Sequence, residues 1–228
     1  MPTSFICEAA KRCYPSVRMY KLIRMVKKGD KLPAEFRTEW LERNRDLRKT
    51  ANKLVASVVA DGKVLGDDAT YDGVSALYFP AEKEARDSAE KSQGKESVSV
   101  VMDEGKVVYE RNGAQFKNLG QLKVILASVR KKELSPAQFK ELSLKGYAKA
   151  ESKALMDAGI QKIVASFAVP EKDKPVPFDV MLELYFNERD DVKATFGSPV
   201  IGMLRKDEET LVDIAAPEIR IVAEEHVL

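Results

Sequence analysis

Phe36, Trp40, Leu47, Ala51, Leu54 and Val58 recur at intervals that, at about 100° per residue, hold them within one narrow sector of a helix. The pattern predicts a long amphipathic helix opening at Pro33, a residue with no amide hydrogen to waste in a first turn, and ending near Asp61-Gly62. Arg37, Arg45 and Arg48 gather on its flank. Upstream, Met19, Leu22, Ile23 and Val26 stand at three- and four-residue spacing within PSVRMYKLIRMVKKG, residues 15–29, and predict a shorter basic helix stopped by Gly29.

The signal changes beyond residue 61. GKVLGDDATYDGVSALYFP carries the glycine and aspartate punctuation of turns around short extended pieces. AEKEARDSAEKSQGKES, residues 81–97, has almost no large apolar residue and reads as an exposed charged helix or a solvated linker. SVSVVMDEGKVVYERNG then predicts a β-hairpin turning at Asp103-Glu104-Gly105. Asn118 caps a predicted helix, with Gln121 three residues on and Leu119, Leu122, Leu126 and Val129 along one side. Ser135-Pro136-Ala137-Gln138 opens another, with Phe139 and Leu142 facing inward. Gly146 breaks that run, and a following helix carries Ala150, Ala154 and Leu155 to a stop at Gly159.

From there the period becomes two. QKIVASFAV, FDVMLELYF, SPVIGMLR, TLVDIAAP and EIRIVAE read as strands separated by turns such as EKDKPVP, NERDD and KDEE. In the second of these, Phe178, Val180, Leu182, Leu184 and Phe186 share one face. Short connections favour antiparallel pairing. The fold class expected is therefore α+β: a basic helical N-terminal region, residues 1–94, then a region 95–228 with a hairpin, helices and an antiparallel sheet of about five strands. Residues 81–97 are the expected linker, and no long-range sequence repeat is visible.

Charge sharpens this picture. Residues 1–60 carry a net +8, residues 61–160 none and residues 161–228 a net −6, within a chain of 228 residues whose total is +2. The basic third suits phosphate, an acidic surface on another protein, or the acidic third of its own chain. Arg18, Lys21, Arg24, Lys27, Lys28, Arg37, Arg45 and Arg48 are the candidate contact residues, with Tyr14, Tyr20 and Trp40 among them as stacking surfaces. A five-stranded Greek-key barrel that binds single strands is disfavoured, because the net −6 of the strand-rich third has the wrong sign for a phosphate groove.

Reactive chemistry is sparse. Cys7 and Cys13 are six residues apart, about 600° on a helix and beyond disulfide reach on a strand, so they read as unreactive apolar residues. His226 is the sole histidine and stands near the end as a surface group, which leaves no partner for Ser–His, Cys–His or zinc chemistry. NERDD and DEE, at 187–191 and 207–209, read as solvated turns. No glycine-rich phosphate loop is present. The stretch GKVVYERNGAQFKNLGQLKVIL resembles small accessory domains of phage proteins, with no diagnostic motif and no functional residue carried over. No apolar run has the roughly 20 residues of a membrane span, and a cytoplasmic setting is expected.

These observations lead to a non-enzymatic interaction protein, without cofactor or metal, whose partner is another protein or its own copies. A nucleic-acid-binding protein using the basic third is the alternative. A carboxylate-based metal-dependent hydrolase is a weaker third.

Overall fold

YKLIRMV folds as a strand. β1 spans Tyr20–Val26, and five of its seven residues are buried. Leu22 and Arg24 project to one face, and Lys21, Ile23 and Met25 to the other. Apolar residues on both faces mask the period of two, and the remaining spacing of Leu22, Ile23 and Val26 imitates a helix. Of the basic helix expected over 15–29, residues 15–18 lie outside the described residues, and the rest is β1 followed by a turn with Gly29 at φ 61°.

The computed structural model describes residues 19–60, 64–65, 69–91, 97–148, 155, 157–171 and 174–228. Arg18 and both cysteines lie outside them. After β1 come α1 (Pro33–Leu47), a 3-10 turn (Arg48–Thr50), β2 (Lys53–Val59), β3 (Gly73–Phe79), α2 (Glu82–Lys91) and β4 (Ser97–Asp103). The second half holds β5 (Lys106–Glu110), β6 (Leu119–Ser128), α3 (Pro136–Ala148), β7 (Lys162–Phe167) and β8 (Val180–Phe186), then α4 (Arg189–Phe196), α5 (Pro199–Glu208) and β9 (Ile219–Val227).

All nine strands join one antiparallel sheet in the order β4-β1-β3-β2-β9-β6-β8-β7-β5. The α+β class holds, with a sheet larger than the five C-terminal strands expected. The order resolves into two units. β1-α1-β2-β3-α2-β4 pairs as 4-1-3-2, and β6-α3-β7-β8-α4/α5-β9 repeats the course as 9-6-8-7, each a ferredoxin-like arrangement. The chain repeats in topology what it does not repeat in sequence. The β2–β9 ladder joins the units, and β4 completes the first, so a division at 94/95 cuts that unit before its last strand.

The sheet curls until its ends meet. Met102 bridges Ala168, the Val169 amide donates to the Val101 carbonyl at 2.9 Å, and the Phe167 amide donates to Asp103 Oδ1 at 2.9 Å. β4 and β5 are therefore not a hairpin: Gly105, at φ 95°, turns the chain from the β1 ladder to the β7 ladder across the closure. Inside the curl, Ile23, Met25, Val74 and Val100 of the first unit pack with Ile125, Met181, Ile219 and Ile221 of the second. The helices cover the outer face.

Several other local expectations change as well. Leu54 and Val58 leave the long helix for β2, because α1 ends at Leu47. Leu119–Ser128 is β6, with both faces covered through its central residues, rather than a helix capped by Asn118. Residues 82–91 form α2, the charged-helix reading of that segment rather than the linker, with Ala85 wholly buried. SPVIGMLR lies in α5, and TLVDIAAP is turn and coil with one isolated bridge at Val212. NERDD opens α4. Ser135 and Gln138 do form the expected capping box, with Ser135 Oγ accepting from the Gln138 amide at 3.2 Å. Phe139 is buried as expected, whereas Leu142 is exposed and the helix runs through Gly146 to Ala148.

Candidate active site

The charged residues singled out from sequence do not form one surface. Lys21 and Arg24 are buried on opposite faces of β1. Lys27 lies 6.0 Å from the centroid of the Tyr71 ring, and the Lys28 amide donates to Asp72 at 2.9 Å. Arg37 reaches Glu224 on β9 at 2.6 Å, while Arg48 donates to the carbonyls of Leu228 and Ala51 at 3.0 and 2.6 Å. Arg45 remains exposed. Of the readings of the basic third, its meeting with the acidic third of the same chain is visible at Arg37–Glu224 and at Lys21–Glu183. His226 is buried rather than superficial, with Nε2 3.4 Å from the Arg37 guanidinium; burial, aided by that positive neighbour, lowers its pKa.

The largest buried charge cluster sits inside the curl. Lys21 Nζ meets Glu183 at 2.9 Å, and Lys123 Nζ meets Glu183 and Glu225 at 2.7 Å each. The Tyr185 hydroxyl donates to Glu225 at 2.9 Å. Two lysines and two carboxylates cancel. Burial opposes each charge, but the facing opposite charges outweigh it, raising both lysine pKa values and lowering that of Glu183. Closed, paired and neutral, this network ties β1 of the first unit to β6, β8 and β9 of the second.

The space between the second unit's sheet and helices differs in kind. Leu126 of β6, Ile163 of β7, Leu182 and Leu184 of β8, Phe196 of α4 and Ile201 of α5 surround an apolar cavity of about 50 Å³. That is space for a few water-sized groups. Tyr147, near the end of α3, and Glu208, at the end of α5, also line it, as do Arg205 and Glu218. Arg205, Glu208 and Glu218 have a second side: they wall an open polar cleft of about 250 Å³ with Ser128, Asp213 and Pro217. One trio of charged groups thus divides an apolar pocket from a polar mouth.

Glu208 is half-buried at that divide, and its pKa is pushed up to about 7, first by loss of water and then by the neighbouring Glu218 charge. Burial, with the Glu208 charge nearby, also raises the Tyr147 phenol and keeps it protonated. Arg205 stands 3.2 Å from Glu218. The arrangement supplies a carboxyl that changes protonation near neutrality, a neutral hydroxyl and a guanidinium around an apolar space.

The described lining offers oxygen donors and no imidazole or thiol. The lone histidine stands eight positions along from Glu218, about 26 Å at strand rise, near α1. Among the described residues no three His, Cys, Asp or Glu side chains gather as a metal-holding group. NERDD and DEE open α4 and close α5 respectively. Glu208 was visible in sequence only as a member of an acidic turn. Its burial follows from α5, which the strand reading of SPVIGMLR had removed.

No protein-family model matches the chain, and no curated protein matches it by sequence. Solved structures do match in fold. An anthrone oxidase-like protein superposes with a TM-score of 0.63 at 8% identity, covering 94% of both chains. A monooxygenase-like protein from Fusobacterium nucleatum gives 0.51 at 10% identity, again with 94% of each chain covered. Chlorite dismutase from Candidatus Nitrospira defluvii, in complex with imidazole, gives 0.51 at 11% over 92% of each. The likeness is one of fold, over nearly the whole length. It overturns the expectation of a non-enzymatic interaction protein, since the neighbours point to an enzyme-type fold, and it lends no support to nucleic-acid binding, the carboxylate hydrolase or a phage origin. Among the described residues no helix is long and apolar enough to cross a membrane.

Proposed function

We propose that the chain is an oxidase- or monooxygenase-type enzyme whose active site is the cavity and cleft of the second unit, with Glu208 as general base. The observation that carries this reading is a carboxyl of pKa about 7 placed where an apolar cavity opens into a polar cleft. A base so tuned is half-ionised near neutral pH and still strong enough to take a proton from a weak carbon or phenolic acid.

The substrate that suits this shape is small and two-ended. Its apolar part enters among Leu126, Leu182, Leu184 and Ile201, and its carbonyl or phenolic oxygen stays in the cleft beside Arg205. Glu208 removes the proton from the adjacent acidic position, and the guanidinium stabilises the oxyanion that forms. The carbanion is then oxidised by dioxygen. In the net change a methylene carbon loses both hydrogens and becomes a carbonyl, one oxygen atom of dioxygen enters that carbonyl, and the other leaves with the two hydrogens as water. The name of the anthrone oxidase-like neighbour supports this class of chemistry, and so does a lining built for proton transfer.

Oxygen uptake tests it directly. Purified protein is offered a panel of small ketones and one-ring phenols bearing an acidic hydrogen, sized to the cavity. Uptake is expected to rise with pH through about 7 and to collapse in Glu208→Gln. Equal uptake by the variant, or none with any member of the panel, sinks the assignment.

A further inference from the structure

Across the outer face of the first unit, three polar residues stand abreast. Arg24 on β1 has Ser75 on β3 and Ser99 on β4 as its register partners to either side. Arg24 is 3% exposed and Ser75 is fully buried. Arg24 Nε, Ser75 Oγ and Ser99 Oγ have no hydrogen-bond partner. Among the described residues the guanidinium forms no ion pair; burial, and after it the neighbouring positive charge of Arg43 on α1, lowers its pKa. Asn44, one turn beyond Trp40 on the sheet-facing side of α1, is fully buried with its carbonyl oxygen also unpartnered, and its amide donates to the Trp40 carbonyl at 2.7 Å.

A buried, unpaired guanidinium is strongly disfavoured unless an anion completes it. The two hydroxyls beside it are free to donate. The row also divides the packing beneath the helices: Leu22, Leu54, Leu77 and Val101 lie in one apolar cluster, and Phe36, Trp40 and Val58 in another. We propose that this row is a binding site for a small oxyanion, phosphate or carboxylate, held by Arg24 with Ser75 and Ser99 as neutral donors. Ser99 stands on β4, the outermost strand on that side of the sheet order, and is half-buried as a residue with its hydroxyl covered. The inference stands apart from the proposed active site, which lies in the other unit.

The test is thermal unfolding of the full chain in sodium phosphate, sodium acetate and sodium chloride at matched ionic strength. Phosphate or acetate at about 100 times its Kd is expected to raise Tm by about 5–10 °C over chloride. Arg24→Met is expected to abolish that rise while remaining folded, because it replaces an unpaired buried cation with an apolar chain of similar length. The Ser75→Ala/Ser99→Ala double variant keeps the cation and is expected to bind the anion about tenfold or more weakly. A response to phosphate alone assigns a phosphorylated ligand, and a response to acetate alone assigns a carboxylate. No anion-specific rise, or an equal rise in Arg24→Met, overturns the site; if that variant does not fold, an equal rise in the serine double variant does so.

Discussion

The two units follow the same path through the sheet and fill the space under their helices in different ways. In the first, Gly73 lets two aromatic rings lie against β3: Phe36 and Trp40 stack with centroids 5.9 Å apart, and a Cβ at Gly73 would come within 2.9 Å of both. In the second, the corresponding layer is dominated by Leu126, Ile163, Leu182, Leu184 and Ile201, which leave a cavity between them. The unfilled layer is also the one with a carboxyl of shifted pKa. Polar residues of the first unit's outer face form a buried row without partners, whereas those of the second line a cleft open to water. Topology sets the number of layers. Side-chain volume decides whether a layer is a core or a site.

The sharpest way to break this comparison is to attack what joins the units. Glu183→Gln leaves Lys21 and Lys123 inside the curl with Glu225 as their remaining carboxylate, and about 3–5 kcal/mol of stability should be lost by urea unfolding. A loss much below that range would mean water reaches the network.

Volume changes come next in size. Gly73→Ala forces a methyl against the stacked rings and should cost about 1–3 kcal/mol, while Leu126→Phe in the second unit should cost less than about 1.5 kcal/mol because the cavity receives the added atoms. The same Leu126→Phe should reduce substrate-dependent oxygen uptake. Equal costs at the two positions would erase the distinction between filled and unfilled layers.

The smallest effect is a slope. Glu208 titrates near 7 in the folded chain and near 4.5 in its ordinary state, so the folded form holds the extra proton between these values. Its contribution therefore makes stability fall as pH rises from about 4.5 to about 7, and the penalty is complete above that. Glu208→Gln should flatten this part of the Tm-against-pH curve and leave the first unit's behaviour unchanged. An unaltered slope in the variant would place the titration elsewhere.

Local signals carried much of the architecture. Pro33 opens α1 and its Phe36 and Trp40 face inward; Ser135 and Gln138 cap α3; QKIVASFAV and FDVMLELYF contain β7 and β8, and EIRIVAE begins β9. EIRIVAE reaches only the first six residues of β9, which runs on to Val227. Each of these signals rests on short-range chemistry, a cap or a periodicity, which a few neighbouring residues express by themselves. The opposed charges of the two ends were equally legible, and Arg37 with Glu224 is one place where they meet.

Tertiary structure decided the rest. β1 and β6 bury both faces, so their apolar positions lost the alternation that distinguishes a strand, and only the ladders on either side select it. Lys21 looked like one more solvated cation in a basic run until closure of the sheet set Glu183, 162 residues away, at 2.9 Å. Glu208 acquires its raised pKa the same way: a member of an acidic turn in sequence stands, in the fold, beside Glu218 and a cavity drawn from six other elements. Composition and periodicity determine which segments seek cover. What a charge meets once covered is a long-range property, because it depends on which distant strand the sheet brings beside it.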